Sequence, residues 1–202
     1  MKLSIATIAL ATLYMQVSAI SAPATSGAPQ PATVPNCGYP TVPFFRAWNN
    51  ATTDHFYTTN KTEMDAFMTQ GYMAQGIAAY ILPSDTPAPT AVPLFRMYDA
   101  KIGDHFYTTN ATYRDLLLGQ GNYASEGIAG YVYPDQECGT VPLYRLLKYG
   151  EAADNFYTTD EEEVKDFIDQ LGYDFMEVAA YSQGILSLQQ LVSTAANNDA
   201  HV

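Results

Sequence analysis

An internal repeat of about fifty residues constrains the fold of this chain more than any other feature. A Val-Pro-x-x-Arg motif occurs at 42–46, 92–96 and 141–145. An Asp-His-Phe-Tyr-Thr-Thr element follows each motif, at 54–59, 104–109 and 154–159, with Asn155 in place of the third histidine. A unit this short cannot bury a hydrophobic face alone. The three copies must therefore share one core.

Every copy predicts the same order of elements. The Val-Pro segment alternates large apolar residues with others and predicts a strand, with proline near its start, at an edge or first position. The aromatic and β-branched His-Phe-Tyr-Thr-Thr segment predicts a second strand that completes a hairpin. A helix should follow, because each copy then has a good N-cap residue: Asn60, Asn110 and Asp160. Glu63 and Glu163 complete capping boxes, and glycines stop the helices at Gly71, Gly121 and Gly172.

Small and apolar residues close each copy, at 76–80, 127–131 and 177–181, and permit close approach of neighbouring chains. Three or four short strands and one helix per copy predict a mainly β fold with short helices, closed about a pseudo-threefold axis. We expect a β-trefoil-like arrangement, with a small three-bladed propeller-like one as the alternative. The segment 185–192 is a candidate closing strand or packing helix.

The terminal segments predict a secreted protein with one folded domain. Residues 1–19 are typical of a signal peptide, since Lys2 precedes an apolar run, too short for a membrane span, and small residues surround Ala19. Residues 20–36 are rich in Pro, Ala, Ser and Thr and predict a flexible leader. We expect a domain at 37–192, repeats at about 42–90, 92–140 and 141–185, and a frayed tail at 193–202.

Two cysteines stand just ahead of Val-Pro motifs, Cys37 before copy one and Cys138 before copy three. In an oxidising compartment a lone pair of cysteines usually forms a disulfide. Their equivalent places at the start of a repeat support this pairing. Two separate buried thiols are the alternative.

The chain is strongly acidic, with 9 Lys and Arg against 21 Asp and Glu and a formal net charge of −12. This balance disfavours nucleic acid and anionic lipid as partners. Glycans or extracellular proteins remain the expected partners.

The motifs resemble a family of secreted repeat domains with Pro-Leu-Tyr-Arg, Asp-His-Phe-Tyr-Thr-Thr and Glu-Gly-Ile-Ala-Tyr elements. The resemblance covers about 42–181, and copy three departs from it at Asn155 and at 177–178. The family is catalogued as a repeat of unknown function in extracellular bacterial and fungal proteins, often beside hydrolase or adhesive modules. The resemblance implies a fold, an extracellular address and a role in binding, with no catalytic residue.

Catalytic and metal-binding patterns are weak. Asp54 and His55, like Asp104 and His105, are neighbours on a strand and point to opposite faces, so they cannot form a dyad within one strand. A metal site would need the two histidines to converge near the axis, where Asn155 would be a poor ligand. The chain has no metal-binding spacing or nucleophile motif. We expect structural or hydrogen-bonding histidines, no metal and no cofactor.

Carbohydrate binding is the leading functional hypothesis. Sugar sites combine an aromatic face with hydrogen-bonding Asp or Asn, and the ligand-binding candidates are Trp48, Asp54, Tyr98 and Asp104. Repeated aromatic residues at strand spacing are also typical of a core. The recurring arginines Arg46, Arg96 and Arg145 are expected to pack on aromatic rings or to pair with acids. The alternatives are a protease inhibitor or secreted effector directed at a protein, or a hydrolase.

Three N-glycosylation sequons begin at Asn50, Asn60 and Asn110. The latter two are also helix caps, and Asp160 takes that role in copy three without a sequon. Asn50, in a hairpin loop, is therefore the strongest glycan candidate.

Overall fold

A computed structural model describes residues 37–185, with nine strands and three helices. Copy one consists of β1 (Val42–Asn49), β2 (Asp54–Thr58), α1 (Lys61–Met68) and β3 (Met73–Ile81). The later copies repeat this order as β4 (Val92–Asp99), β5 (Asp104–Thr108), α2 (Ala111–Gly119), β6 (Ala124–Val132), β7 (Val141–Lys148), β8 (Asp154–Thr158), α3 (Glu161–Leu171) and β9 (Asp174–Ser182). The expected signal peptide, leader and tail, at 1–19, 20–36 and 193–202, lie outside the described residues. No helix within 37–185 is long and apolar enough to cross a membrane.

Each copy folds into its own antiparallel sheet with its first strand in the middle, in the orders β2-β1-β3, β5-β4-β6 and β8-β7-β9. The mainly β, pseudo-threefold fold class is confirmed. Three separate sheets around an axis are closer to the blade-like alternative than to a closed trefoil barrel. The Val-Pro strands are central, not edge, strands. Pro43 is accommodated because pairing of β1 with β2 begins only at Phe45.

The helix N-caps are as predicted from the sequence, but the partners of the glutamates three residues further on are not. The side chains of the three predicted N-caps accept hydrogen bonds from first-turn amides, at Asn60, Asn110 and Asp160. The predicted capping boxes are wrong at Glu63 and Glu163. The Glu63 carboxylate binds Thr58 Oγ1 and the Arg96 guanidinium, while the Asn60 N–H donates to Thr58 Oγ1. Glu163 likewise binds Thr158 Oγ1 and an arginine of another copy. A charge-assisted bond to arginine is stronger than one to a neutral amide.

Three buried tyrosines meet at the centre of the domain, Tyr57, Tyr107 and Tyr157. The Tyr107 hydroxyl accepts a hydrogen bond from the Tyr57 N–H and donates one to the Tyr57 carbonyl, both at 2.8 Å. Tyr157 binds Tyr107 in the same way, and Tyr57 binds Tyr157. The rings pack edge to face with centroids 5.4–5.6 Å apart. Each copy therefore completes the buried backbone hydrogen bonds of another copy.

The ends of β3, β6 and β9 form a second set of contacts between the copies. Isolated backbone bridges join copies one and two, two and three, and three and one, at Leu82–Tyr131, Tyr133–Tyr181 and Tyr80–Gln183. The first bridge requires a small residue, since a Cβ on Gly130 would lie 2.8 Å from the Leu82 carbonyl oxygen. The predicted disulfide is confirmed, and it ties Cys37 ahead of copy one to Cys138 ahead of copy three.

We predict that Tyr107→Phe lowers the free energy of unfolding by about 2–5 kcal/mol in chemical denaturation. The variant leaves the buried N–H and carbonyl of Tyr57 without a partner, and each such group costs about 1–3 kcal/mol. Tyr149→Phe is the matched control, because Tyr149 is exposed. A change for Tyr107→Phe as small as that of the control would contradict the role of the tyrosine ring.

We predict that the double variant Cys37→Ala/Cys138→Ala keeps its circular dichroism spectrum but unfolds at lower denaturant concentration. The bridge spans a sequence separation of 101 residues. The chain-entropy treatment of a loop this long gives an upper value of about 4.7 kcal/mol. An unchanged unfolding midpoint would show that the bridge does not restrain the unfolded chain.

Candidate functional site

Histidines and aspartates of the repeat pair between copies. Asp54 accepts hydrogen bonds from the backbone N–H of His105 at 2.8 Å and from its Nδ1 at 2.6 Å. Asp154 holds His55 through the same two atoms at the same distances. All four side chains are buried. Strand alternation prevents an aspartate and the adjacent histidine of one copy from pairing, as expected. The histidine–aspartate pairs form instead between residues of different copies.

Copy three has lost the histidine but keeps the geometry. Asn155 donates to Asp104 from its backbone N–H at 3.0 Å and from Nδ2 at 2.7 Å. Burial and the charge of Asp154 raise the pKa of Asp104 to about 7, against the opposing effect of the hydrogen bonds from Asn155. Asp104 is thus the one member of the three without a histidine to balance its charge.

The three aspartates come together on the axis, with one carboxylate oxygen of each within 4.8 Å of the others. All six oxygens of Asp54, Asp104 and Asp154 already accept hydrogen bonds from protein donors. Tyr72 and Tyr173 donate two further bonds, to Asp54 and Asp154. The cluster is therefore organised as a hydrogen-bonded core.

An aromatic ring covers each histidine. The rings of Trp48 and His55 lie 4.4 Å apart between centroids, and those of Tyr98 and His105 lie 4.5 Å apart. In copy three the covering position is Leu147, which pairs across the sheet with Asn155. Copies one and two therefore share a covered histidine that copy three has lost.

A cavity of about 360 Å³ lies beside Trp48, at the boundary between copies one and three. Copy one contributes Trp48, Asn50, Thr53, His55 and Gln75. Copy three contributes Lys148, Phe167, Leu171 and Tyr173. The volume lies within the range of small-molecule sites, and the lining combines aromatic surface with a few polar groups.

The two histidines differ in what their outer nitrogen meets. His105 Nε2 lies 3.4 Å from a carboxylate oxygen of Glu126. Burial lowers the pKa of His105, but its hydrogen bond to Asp54 and the nearby Glu126 carboxylate outweigh this effect and raise the pKa overall. In copy one Gln75 stands where copy two has Glu126. His55 Nε2 has no hydrogen-bond partner within 37–185 and is the buried polar atom on the cavity wall.

Backbone strain marks the same cavity. Thr53 has φ of 56°, in the left-handed region, where copy two has Gly103 with φ of 76°. Such a conformation is costly for a β-branched residue and is often found at functional sites. Thr53 lines the cavity, next to the strand that carries His55.

Two of the recurring arginines pair with glutamates of another copy, and the third pairs within its own copy. Arg46 binds both oxygens of Glu163 at 2.7 and 2.8 Å and lies 4.9 Å from the ring centroid of Phe156. Arg96 makes the same bidentate contact with Glu63. Tyr113 replaces the glutamate in copy two, and Arg145 binds Glu177 and Asn155 instead. Pairing with acids, as the sequence suggested, accounts for all three.

The predicted ligand-binding residues occupy two kinds of place. Trp48 and Tyr98 are half-buried beside their histidines, and Trp48 lines the cavity. Asp54 and Asp104 are buried, with oxygens bound to residues of other copies. Asp54 lies behind His105 and Asp104 behind Asn155, and a part for either aspartate in ligand binding stays a prediction.

Sequence reasoning missed the contribution of copy three to the cavity. Lys148 and Tyr173 lie far along the chain from Trp48, and only the threefold closure brings them together. One signal in the sequence pointed toward copy three: Asn155 replaces its histidine and Glu177 replaces its glycine, so the three copies are not equivalent. Of the three sequon asparagines, Asn50 lines the cavity, while Asn60 and Asn110 are exposed helix caps; glycosylation stays a prediction.

The fold and this site define a pseudo-threefold repeat domain whose copies are joined around a common axis by two histidine–aspartate pairs and one asparagine–aspartate pair. The chain belongs to the family described as a domain of unknown function, DUF5648, which matches residues 43–183. Searches of curated proteins and of solved structures returned no significant match.

We predict that the protein is less stable at pH 8 than at pH 5, and that Asp104→Asn removes most of this difference. A carboxyl whose folded pKa lies near 7, above its ordinary 3.8, stabilises the fold fully below pH 3.8 and loses that contribution as pH rises to about 7. The raised pKa of His105 acts in the same direction at higher pH.

Denaturant unfolding at pH 5, 6, 7 and 8 measures this effect, with the exposed Asp85→Asn as control. Glu63, Glu126 and Glu163 have lowered pKa values, because their bonds to arginine or histidine outweigh burial, so they titrate below this window. An Asp104→Asn variant with the same pH slope as the control would contradict the assignment.

Proposed function

We propose that the domain is a secreted, non-catalytic recognition module that binds carbohydrate in the cavity beside Trp48. The pattern of residues 1–19 and the disulfide support an extracellular address. The family match adds no stated activity. The chemistry of the cavity supports a saccharide as ligand.

The observation that carries the proposal is the packing of the Trp48 ring on His55. One face of its ring rests on His55, at 4.4 Å between centroids, and the side chain also lines the cavity. His55 is itself fixed through Nδ1 by Asp154, which also accepts a bond from Tyr173. A rigid aromatic face loses little conformational entropy when a ligand stacks on it.

Polar groups around the ring match the hydroxyl groups of a sugar. Asn50 and Gln75 offer both donors and acceptors, and Lys148 offers donors. His55 Nε2 accepts a hydrogen bond when the ring is neutral, because Nδ1 then carries the proton donated to Asp154. In this proposal Asp154 acts by holding the histidine, not by contacting the ligand.

Tyr98 above His105 forms a second, weaker site in the proposal. Asp54 holds His105 as Asp154 holds His55, and the aromatic ring takes the same position. Glu126 already faces His105 Nε2, which leaves less hydrogen-bonding capacity for a ligand. Two sites on one molecule would add avidity for a polysaccharide with repeated epitopes.

A protein partner is the second candidate. Large apolar side chains are exposed on the outer strand of copy three, at Phe175, Met176 and Val178. Such clusters favour contact with another protein surface. This reading retains the earlier alternative of an inhibitor or secreted effector.

We predict that the secreted chain binds at least one member of a broad glycan panel saturably, and that Trp48→Ala weakens this binding at least tenfold. Trp48 is the single tryptophan, so quenching or enhancement of its fluorescence reports ligand at this site directly. Calorimetry then compares the variants.

Tyr149→Ala is the matched control, because Tyr149 is an exposed aromatic residue outside the lining of the cavity. Both variants should unfold cooperatively, which separates lost binding from lost structure. Absence of binding across the panel would overturn the carbohydrate proposal and favour the protein partner.

A further inference from the structure

We infer that the preferred ligand is an acidic saccharide, whose anionic group pairs with Lys148. This inference rests on the proposed function and names the ligand class of the same cavity. It follows from the place of this lysine in a chain that is otherwise rich in acids.

Lys148 is one of few cations in the domain without an acidic partner. Eight lysines and arginines lie within 37–185, and six of them form ion pairs with Asp or Glu: Arg46, Lys61, Arg96, Arg114, Arg145 and Lys165. The other two are Lys101 and Lys148, and of these Lys148 lines the cavity. With 21 acids in the chain, an unpaired cation at a binding cavity is a specific feature.

The repeat shows that this lysine replaces a structural residue. Lys148 is the last residue of its strand and pairs across the sheet with Asp154, as Asn49 pairs with Asp54 and Asp99 with Asp104. Asn49 and Asp99 each accept a hydrogen bond from the backbone two residues on, at Ala51 and Lys101. Copy three has given up this turn-stabilising group and placed a cation there.

Lys148 is also joined to the rest of the site. Its Nζ lies 5.6 Å from the centroid of Tyr173, on an aromatic ring that favours a cation. The Tyr173 hydroxyl donates to Asp154, and Asp154 holds His55 beneath Trp48. One connected wall therefore presents an aromatic face and an ammonium group to the same ligand, and His55 supports the aromatic face from behind.

The overall charge restricts the kind of acidic ligand. A net charge of −12 repels a densely charged polyanion at long range, whereas one ammonium group at short range attracts a single anionic group. This distribution of charge therefore favours a saccharide with an isolated uronate or sulfate among neutral sugars.

The experiment measures NMR-detected binding of matched sugars to the secreted chain. The probes are glucose with glucuronate, galactose with galacturonate, and mannose with mannuronate; each acid carries a carboxylate where its neutral partner has a hydroxymethyl group. Glucose 6-sulfate and galactose 6-sulfate distinguish a sulfate from a carboxylate. We expect the acid to bind about five- to tenfold more tightly than its neutral partner in at least one pair, because a charge-assisted bond adds to the stacking.

Lys148→Gln should abolish this preference for the acid over its neutral partner, and Lys101→Gln should retain it. Added salt should reduce the preference, since the pair is partly exposed. Equal binding of every acid and its neutral partner, or a preference that survives Lys148→Gln, would overturn the inference while the carbohydrate proposal stands. Failure of all sugars and of the glycan panel would overturn both.

Discussion

No copy of this repeat can satisfy the hydrogen bonds of its own buried polar groups. The whole structure depends on the hydrogen bonds that each copy makes to the buried groups of another copy. In the Asp-His-Phe-Tyr-Thr-Thr element, the aspartate binds the next copy, the tyrosine hydroxyl completes a neighbour's backbone, and the second threonine donates to a neighbour's carbonyl, as Thr59 does to Ala129. Unpaired groups of this kind are costly inside a protein, so an isolated copy gains little by folding. The three copies are therefore stable only as one closed unit.

Departures from the threefold pattern mark the candidate site. Asn155 replaces the third histidine, Lys148 replaces a turn-stabilising residue, and Gln75 replaces the glutamate that faces His105 in copy two. These changes act at two places: the loss of a histidine leaves the charge of Asp104 uncompensated on the axis, and the other two changes line the cavity between copies one and three. The symmetric parts hold the domain together, and the asymmetric parts give one boundary its chemistry.

Features set by local sequence could be predicted, and those set by closure of the ring could not. The hairpins, the helix caps at Asn60 and its equivalents, and the cysteine pair follow from propensity, capping and equivalent positions in the repeat. The predicted partner of Glu63, the backbone N–H of Asn60, was wrong because Arg96 of the next copy offers a stronger bond than this local amide. The cavity joins Trp48 to Lys148, a hundred residues further on, and no pattern within one copy encodes that contact.

In our proposal, the histidine–aspartate pair across the copy boundary supports a ligand site at Trp48. Nitrogen-detected NMR of the Trp48 indole and the His55 ring, recorded during titration with a glycan that binds, is the test of this role. We expect both signals to shift together and to saturate with one dissociation constant, while the His105 ring follows only at higher ligand concentration. Saturable binding that leaves the Trp48 and His55 signals unmoved would contradict it.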